Sequence, residues 1–301
     1  MIENSQTIHP SFFIIGAPKC GTTSLATYLS QHPHVVMSVP KEPHYFSSDI
    51  HNGRVQDFDE YLHCFRINSK QAKIAGEAST LYMFSSVAIP EILKFNPTSK
   101  FIIMLRNPVE FVYSYYFVAL NIFGETTTDF EAAWRLGFER EKGNKIPKPC
   151  PDPKLLFYHS IGKLGEQVSR LLGIIKRNQV HFIVFDQFIS NTRHEFEKVL
   201  QFLNLDLSQD FEMKIHNKTR RSTFPKVLPI LHYFALLKRK IGIKSSFGIA
   251  NMTRKIISSD SKPASLSLEF QNELANYFRN DIELLSGLIE KDLTHWFKQY
   301  E

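Results

Sequence analysis

Residues 12–25 read FFIIGAPKCGTTSL, and the chemistry that these residue types permit at this spacing is the binding of an anion. Four apolar residues run into a loop carrying Gly16, Pro18, Lys19, Cys20 and Gly21, and Thr22, Thr23 and Ser24 follow at once. A strand ending at Gly16 and a helix opening near Thr22 would aim successive backbone N–H groups, and the positive end of the helix dipole, at one point. Lys19 adds a mobile charge there, and the three hydroxyls can donate to phosphate oxygens. The pattern departs from the Walker loop, in which lysine follows the last glycine directly and a Ser or Thr then holds magnesium. Here the lysine precedes Gly21, an arrangement that suits a nucleotide whose reaction needs no metal.

A second anchor lies in KFIIMLRNPVEFVYSYY, residues 100–116. Arg106 follows an apolar strand, Asn107 suits an N-cap, Pro108 suits the first helical position, and Glu110 would complete a capping box. Ser114 falls on the helix face that follows the cap. Arg106 and Ser114 can then converge on one anion at the carboxyl edge of a sheet, where open α/β folds bind ligands. Taken alone, Arg106 serves equally well as an ion-pair partner. A third cationic run, HNKTRRS at 216–222, offers Lys218, Arg220 and Arg221; such a run is also what a solvated face looks like.

VPKEPHYF, residues 39–46, sets Glu42 and His44 in a proline-interrupted turn. Burial there would raise the Glu42 carboxyl, and a raised carboxylate can take a proton from a hydroxyl or amine. The plainer reading makes Glu42 an ion-pair partner and His44 a loop histidine. AGEASTLYMF, residues 75–84, places Glu77 and Tyr82 after a further strand.

The elements that must position these groups follow from the hydrophobic pattern. Apolar or β-rich runs at 12–16, 34–39, 73–77, 100–106 and 180–185 alternate with segments of helical spacing near 22–32, 87–95, 108–121, 129–141, 160–177, 192–203 and 267–285. Continuous apolarity in three of these runs implies strands buried on both faces, as in a parallel sheet. The fold class is therefore α/β, a mostly parallel central sheet flanked by helices, expected as one domain over 11–301 after a flexible tail at 1–10. Two stretches, KGNKIPKPCPDPK at 142–154 and 244–263, read as long loops that border a substrate opening. The apolar helix with a basic end at 226–240 suits a cover, a partner subunit or a membrane surface.

The chain has 301 residues, 43% of them hydrophobic, and a net charge of +6. That composition excludes disorder as the main state and favours an anionic ligand only lightly; no nucleic-acid partner is expected. Three cysteines, Cys20, Cys64 and Cys150, form neither a metal-type cluster nor a disulfide framework, so free thiols and a cytoplasmic location are expected. No secretory leader and no membrane-spanning run is visible, which leaves peripheral membrane contact as the membrane role to consider.

GAPKCGTTSL resembles the phosphosulfate-binding loop of sulfotransferases that use 3′-phosphoadenosine 5′-phosphosulfate (PAPS). Members of that family share an α/β fold with P-loop nucleotide kinases. The resemblance implies that the 5′-phosphosulfate lies over residues 18–24, with Lys19 at the bridging oxygen of the leaving group. It further implies that Arg106 and Ser114 hold the 3′-phosphate and that Lys218, Arg220 or Arg221, the last by preference, closes over it. The Glu42–His44 stretch is similar to that of glycan sulfotransferases, where the glutamate is the catalytic base. On that likeness Glu42 is the base and His44 assists, while a histidine base is the rival within the family. Glu77 and Tyr82 would border the acceptor, and Ala78 stands where the family often has a lysine. The implied reaction transfers a sulfuryl group to a glycan, glycolipid or small-metabolite acceptor, releases adenosine 3′,5′-bisphosphate and requires no metal. Two readings from other classes stay open: a P-loop small-molecule kinase using ATP, and a non-catalytic nucleotide-binding protein.

Overall fold

The computed structural model describes residues 8–65, 71–207, 211–213, 221–222, 258–259 and 265–300. Lys218, Arg220 and the segment 226–240 lie outside the described residues, as does most of 244–263. The order of elements begins β1 (Pro10–Gly16), α1 (Thr22–Ser30), β2 (Val35–Met37), α2 (Phe58–His63), β3 (Ile74–Ala78), α3 (Ala88–Phe95) and β4 (Lys100–Leu105). It continues with α4 (Pro108–Asn121), α5 (Phe130–Glu141), α6 (Tyr158–Gly162), α7 (Leu164–Leu172), β5 (Val180–Val184), α8 (Phe185–Ser190) and α9 (Thr192–Leu203). Two-residue strands β6 (Arg221–Ser222) and β7 (Ser258–Ser259), then α10 (Leu268–Ile289) and α11 (His295–Lys298), complete it.

The chain divides into two compact units. The first comprises Met1–Asn107, Leu164–Asn217 and Arg279–Trp296. It holds a five-stranded sheet in the order β2-β3-β1-β4-β5, and every neighbouring pair is parallel. The parallel arrangement explains the sequence pattern: Phe12 to Ile15 and Phe101 to Leu105 are buried without alternation, because helices cover both faces of such a sheet. Because the strands are parallel, the segments after Gly16, Met37, Ala78, Leu105 and Val184 all leave from one edge.

The second unit comprises Pro108–Lys163, Lys218–Phe278 and Phe297–Glu301. Its interior contains Tyr115, Tyr116, Phe130, Tyr158 and Phe270 in edge-on contacts, around a buried Arg140–Glu125 ion pair. Arg221 lies in the antiparallel β6–β7 ladder, opposite Ser259.

The helix expected over 160–177 is two helices. Lys163 leaves helical geometry with ψ of 76°, and the amides of Gly165 and Glu166, in the first turn of α7, donate to the Asp281 carboxylate at 2.8 Å. An acceptor more than a hundred residues away caps the new helix, and local spacing carries no sign of it. Similarly, α2 lies in a stretch to which the hydrophobic pattern assigns no element, started by Asp57, whose carboxylate accepts from the Glu60 amide. Among the described residues no helix is long and apolar enough to cross a membrane.

Candidate active site

The loop after β1 is shaped to expose amides. Gly21 occupies the N-cap of α1 at φ 90°, and no side chain caps the helix. The first-turn N–H groups of a helix have no partner within it, so those of Thr22 and Thr23 point out of this end toward any anion there. Glycine is required here by its positive φ; a Cβ would also stand 3.3 Å from both the Met104 methyl and the Phe185 ring. The Ala17 amide donates to the Met104 carbonyl at 2.8 Å, which ties the loop to β4. Thr22 and Ser24 are buried, while Pro18, Lys19, Gly21 and Thr23 keep partial exposure. Cys20 is fully buried, its thiol donating to the Pro18 carbonyl at 3.4 Å. Burial pushes that thiol up to about 12, which makes it a packing group rather than a nucleophile.

Arg106, the first residue after β4, donates to the Lys19 carbonyl at 3.4 Å and lies over the Phe185 ring, 4.8 Å from its centroid. Burial, and then the Arg106 charge, lower the Lys19 ammonium from its ordinary value. Two cations brought together disfavour each other's charge, and an anion between them would relieve that. Phe185 begins α8 directly after β5 and is half-buried at the same sheet edge. Sequence reading did not single it out, since one phenylalanine among 26 carries no mark of its register.

The turn after β2 carries the acid–base candidates. Glu42 and His44 both adopt left-handed backbone, at φ 63° and 54°, as does Lys19 at 63°. Non-glycine residues in this region are uncommon and cluster at functional sites. His44 Nε2 stands 3.3 Å from Glu42 Oε2, the Thr80 hydroxyl donates to the same oxygen at 3.4 Å, and the Lys41 ammonium contacts Glu42 Oε1. His44 Nδ1 is buried without a hydrogen-bond partner.

These contacts correct the expectation that Glu42 titrates high. Burial does push its carboxyl up, but the His44 hydrogen bond and the Lys41 charge outweigh that and hold it at about 2. The carboxylate is only partly screened from water, its side chain being 36% exposed, so the charged form is retained. Thr80 links this turn to the first loop, because its carbonyl lies 3.2 Å from the position a Cβ on Gly16 would take.

Glu77 and Tyr82 have no exposed surface. Tyr61 and Ser79 donate to the Glu77 carboxylate at 2.6 and 2.5 Å, and burial raises the Glu77 carboxyl above its ordinary value. Their outward contacts are to the Glu42–His44 turn. The His44 amide donates to Ser79 Oγ at 3.0 Å, and the Phe46 amide to the Tyr82 hydroxyl at 3.1 Å. The structure thus gathers residues 17–24, 41–46, 79–82, Arg106 and Phe185 on segments that leave one edge of one sheet. Ser114 is buried on α4 in the second unit.

A family model described as the sulfotransferase domain matches residues 9–287. The chain is 26% identical to carbohydrate sulfotransferase 15 of Homo sapiens over 255 residues, covering 65% of this chain and 44% of that protein. It is 31% identical over 123 residues to membrane-associated sulfotransferase kil1 of Dictyostelium discoideum, covering 40% of this chain and 25% of that one. The chain spans under half the length of these curated relatives. The crystal structure of a sulfotransferase from Alicyclobacillus acidocaldarius aligns over 96% of this chain and 98% of that one, with a TM-score of 0.70 and 25% identity. With the domain model running from β1 to the end of the long α10, and a sheet edge that presents an uncapped helix beside Lys19 and Arg106, the chain belongs to the sulfotransferase domain family.

Proposed function

We propose that this protein transfers a sulfuryl group from PAPS to a hydroxyl or amine of a carbohydrate acceptor, releasing adenosine 3′,5′-bisphosphate. The observation that carries the reading is the uncapped N-terminus of α1, entered through Gly21 and flanked by Lys19 and Arg106. Its amides and two cations form a site for an anionic group at the carboxyl edge of a parallel sheet, where such folds bind nucleotides. The carbohydrate class of acceptor is supported by the names of the relatives, which include carbohydrate and heparan sulfate sulfotransferases.

The donor supplies an activated sulfuryl group on a phosphate leaving group. The residues 18–24 would hold that phosphate end. Lys19, lowered by burial and by Arg106, is an ammonium prepared to share its charge or proton with the departing oxygen. The half-buried face of Phe185, against Gly21 and Arg106, suits an adenine ring. Arg106, Ser114 and Arg221 are assigned to the 3′-phosphate end by the family resemblance.

Glu42 takes the acceptor proton in this reading. A carboxylate held at about 2 is a weak base, and that is sufficient for a loose transition state. By analogy with phosphoryl transfer, bond formation to the acceptor oxygen is little advanced at the barrier. The proton therefore becomes strongly acidic as the new S–O bond forms, and a fixed anion is what must be waiting. His44 holds that anion in place through Nε2.

The test is incubation with radiolabelled PAPS and a panel of unsulfated glycans. Label should enter the glycan with the wild-type protein and not with Glu42→Gln. Calorimetry should show binding of adenosine 3′,5′-bisphosphate in preference to ATP with magnesium; the reverse preference would transfer the chain to the kinase reading.

A further inference from the structure

We propose that Glu77 is a positioning residue: its carboxylate, through Ser79, holds the Glu42–His44 turn in its left-handed conformation. The inference rests on the sulfotransfer reading for its consequence in turnover, but not for its structural content.

Glu77 sits on β3 with no exposed surface. A buried carboxylate is costly unless donors satisfy it, and here two hydroxyls do so, Tyr61 at 2.6 Å and Ser79 at 2.5 Å. Ser79 passes the interaction on. Ser79 Oγ accepts the His44 amide at 3.0 Å and the Tyr82 hydroxyl accepts the Phe46 amide at 3.1 Å. The Tyr82 ring also packs edge-on against the His44 imidazole, centroids 6.0 Å apart.

The chemistry sets a direction for this relay. A carboxylate only accepts, so the Ser79 hydroxyl spends its single proton on Glu77 and turns a lone pair toward the His44 amide. The His44 amide is thereby held from Glu77 on β3. Strained backbone persists where its surroundings over-determine it, and His44 is itself left-handed. Tyr61 is the internal control, because it donates to the same carboxylate from α2 without passing a bond to this amide.

Glu77→Gln puts a donor where the relay needs an acceptor. Steady-state kinetics of the full chain should show kcat reduced by at least about tenfold, as misplacement of a catalytic group predicts, with affinity for adenosine 3′,5′-bisphosphate kept within about twofold. Ser79→Ala should lower kcat in the same way. Adding Ser79→Ala to Glu77→Gln should cost less than the product of the two single losses, since both act along one relay. Tyr61→Phe should leave kcat within about twofold of wild type. The His44 ring resonances should shift in Glu77→Gln and Ser79→Ala but not in Tyr61→Phe, and this readout does not depend on any reaction.

Wild-type kcat and an unmoved His44 resonance in Glu77→Gln would overturn the proposal. So would a loss in Tyr61→Phe equal to that in Glu77→Gln, which marks a general structural role. Should Glu77→Gln fail to fold, Ser79→Ala against Tyr61→Phe carries the same comparison. Failure of the sulfotransfer reading looks different: no label transfer by the wild type, with the resonance pattern intact.

Discussion

The guanidinium of Arg106 donates to the main-chain oxygen of Lys19 across 3.4 Å, so the residue that leaves β4 fixes the residue at the centre of the loop after β1. The two cations meet at one site, where a bound anion would relieve their repulsion. Under the proposed mechanism Lys19→Ala removes a preorganised charge at the leaving oxygen and should lower kcat by at least about a hundredfold, the scale for loss of one such donor. Single-turnover assays with labelled PAPS measure this directly. Wild-type turnover in that variant removes Lys19 from the mechanism.

Phe185 supplies a face to the same loop, with Arg106 over its ring. Phe185→Ala should weaken adenosine 3′,5′-bisphosphate by about 1–3 kcal/mol, the range for losing one aromatic platform under a base, while leaving kcat at saturating donor near wild type. Calorimetric titration gives the affinity. An unchanged value would place the adenine elsewhere.

Lys41 bears on the pH dependence. Burial raises the Glu42 carboxyl, and the His44 hydrogen bond and Lys41 charge bring it down to about 2. Removing the Lys41 charge leaves burial less opposed, so Glu42 must titrate higher in Lys41→Met. The acidic limb of kcat/KM should move to higher pH than in wild type. The stability consequence has the same origin. A carboxyl with a depressed folded pKa stabilises the fold above its unfolded value, near 4.5, and loses that contribution as pH falls toward 2. Thermal unfolding between pH 5 and pH 3 should therefore be steeper in wild type than in Lys41→Met.

The parts legible in the sequence are those with local causes. Apolar or β-rich runs, three of them continuous, located all five strands of the parallel sheet, and the residues just past them, Lys19, Glu42, His44 and Arg106, stand at its carboxyl edge because parallel strands end together. The parts that escaped depend on distant partners. Nothing around Lys163 announces that Asp281 will cap a new helix there. The α2 helix was invisible for a related reason: it is six residues long, too short for periodicity to register, and Tyr61 on its buried side reaches Glu77. Glu42 looked like a carboxyl raised by burial because Lys41, its sequence neighbour, could have pointed anywhere. The fold turned it onto the carboxylate.

The second unit offers a test of stability free of the catalytic argument. Glu125 and Arg140 are 0% and 1% exposed, paired at 2.5 Å and again at 2.8 Å. Glu125 also accepts from the Thr126 and Thr127 amides and the Tyr158 hydroxyl, each at 2.8 Å. Burial pushes this carboxyl up, yet the Arg140 hydrogen bond and the Thr127 amide outweigh it and keep Glu125 below its ordinary value. Arg140→Met strands a buried charge and should cost about 3–5 kcal/mol at neutral pH. The sign then reverses with acid. In wild type the depressed Glu125 withdraws stability as pH falls below about 4.5; in the variant burial acts with less opposition, so protonation relieves the stranded charge and the fold recovers. Urea unfolding at pH 7 and pH 4.5 should show the gap between the two proteins narrowing with acid. A gap that stays constant would mean that Glu125 is neutral in the folded state already, and that its partners are hydrogen-bonding groups rather than an ion pair.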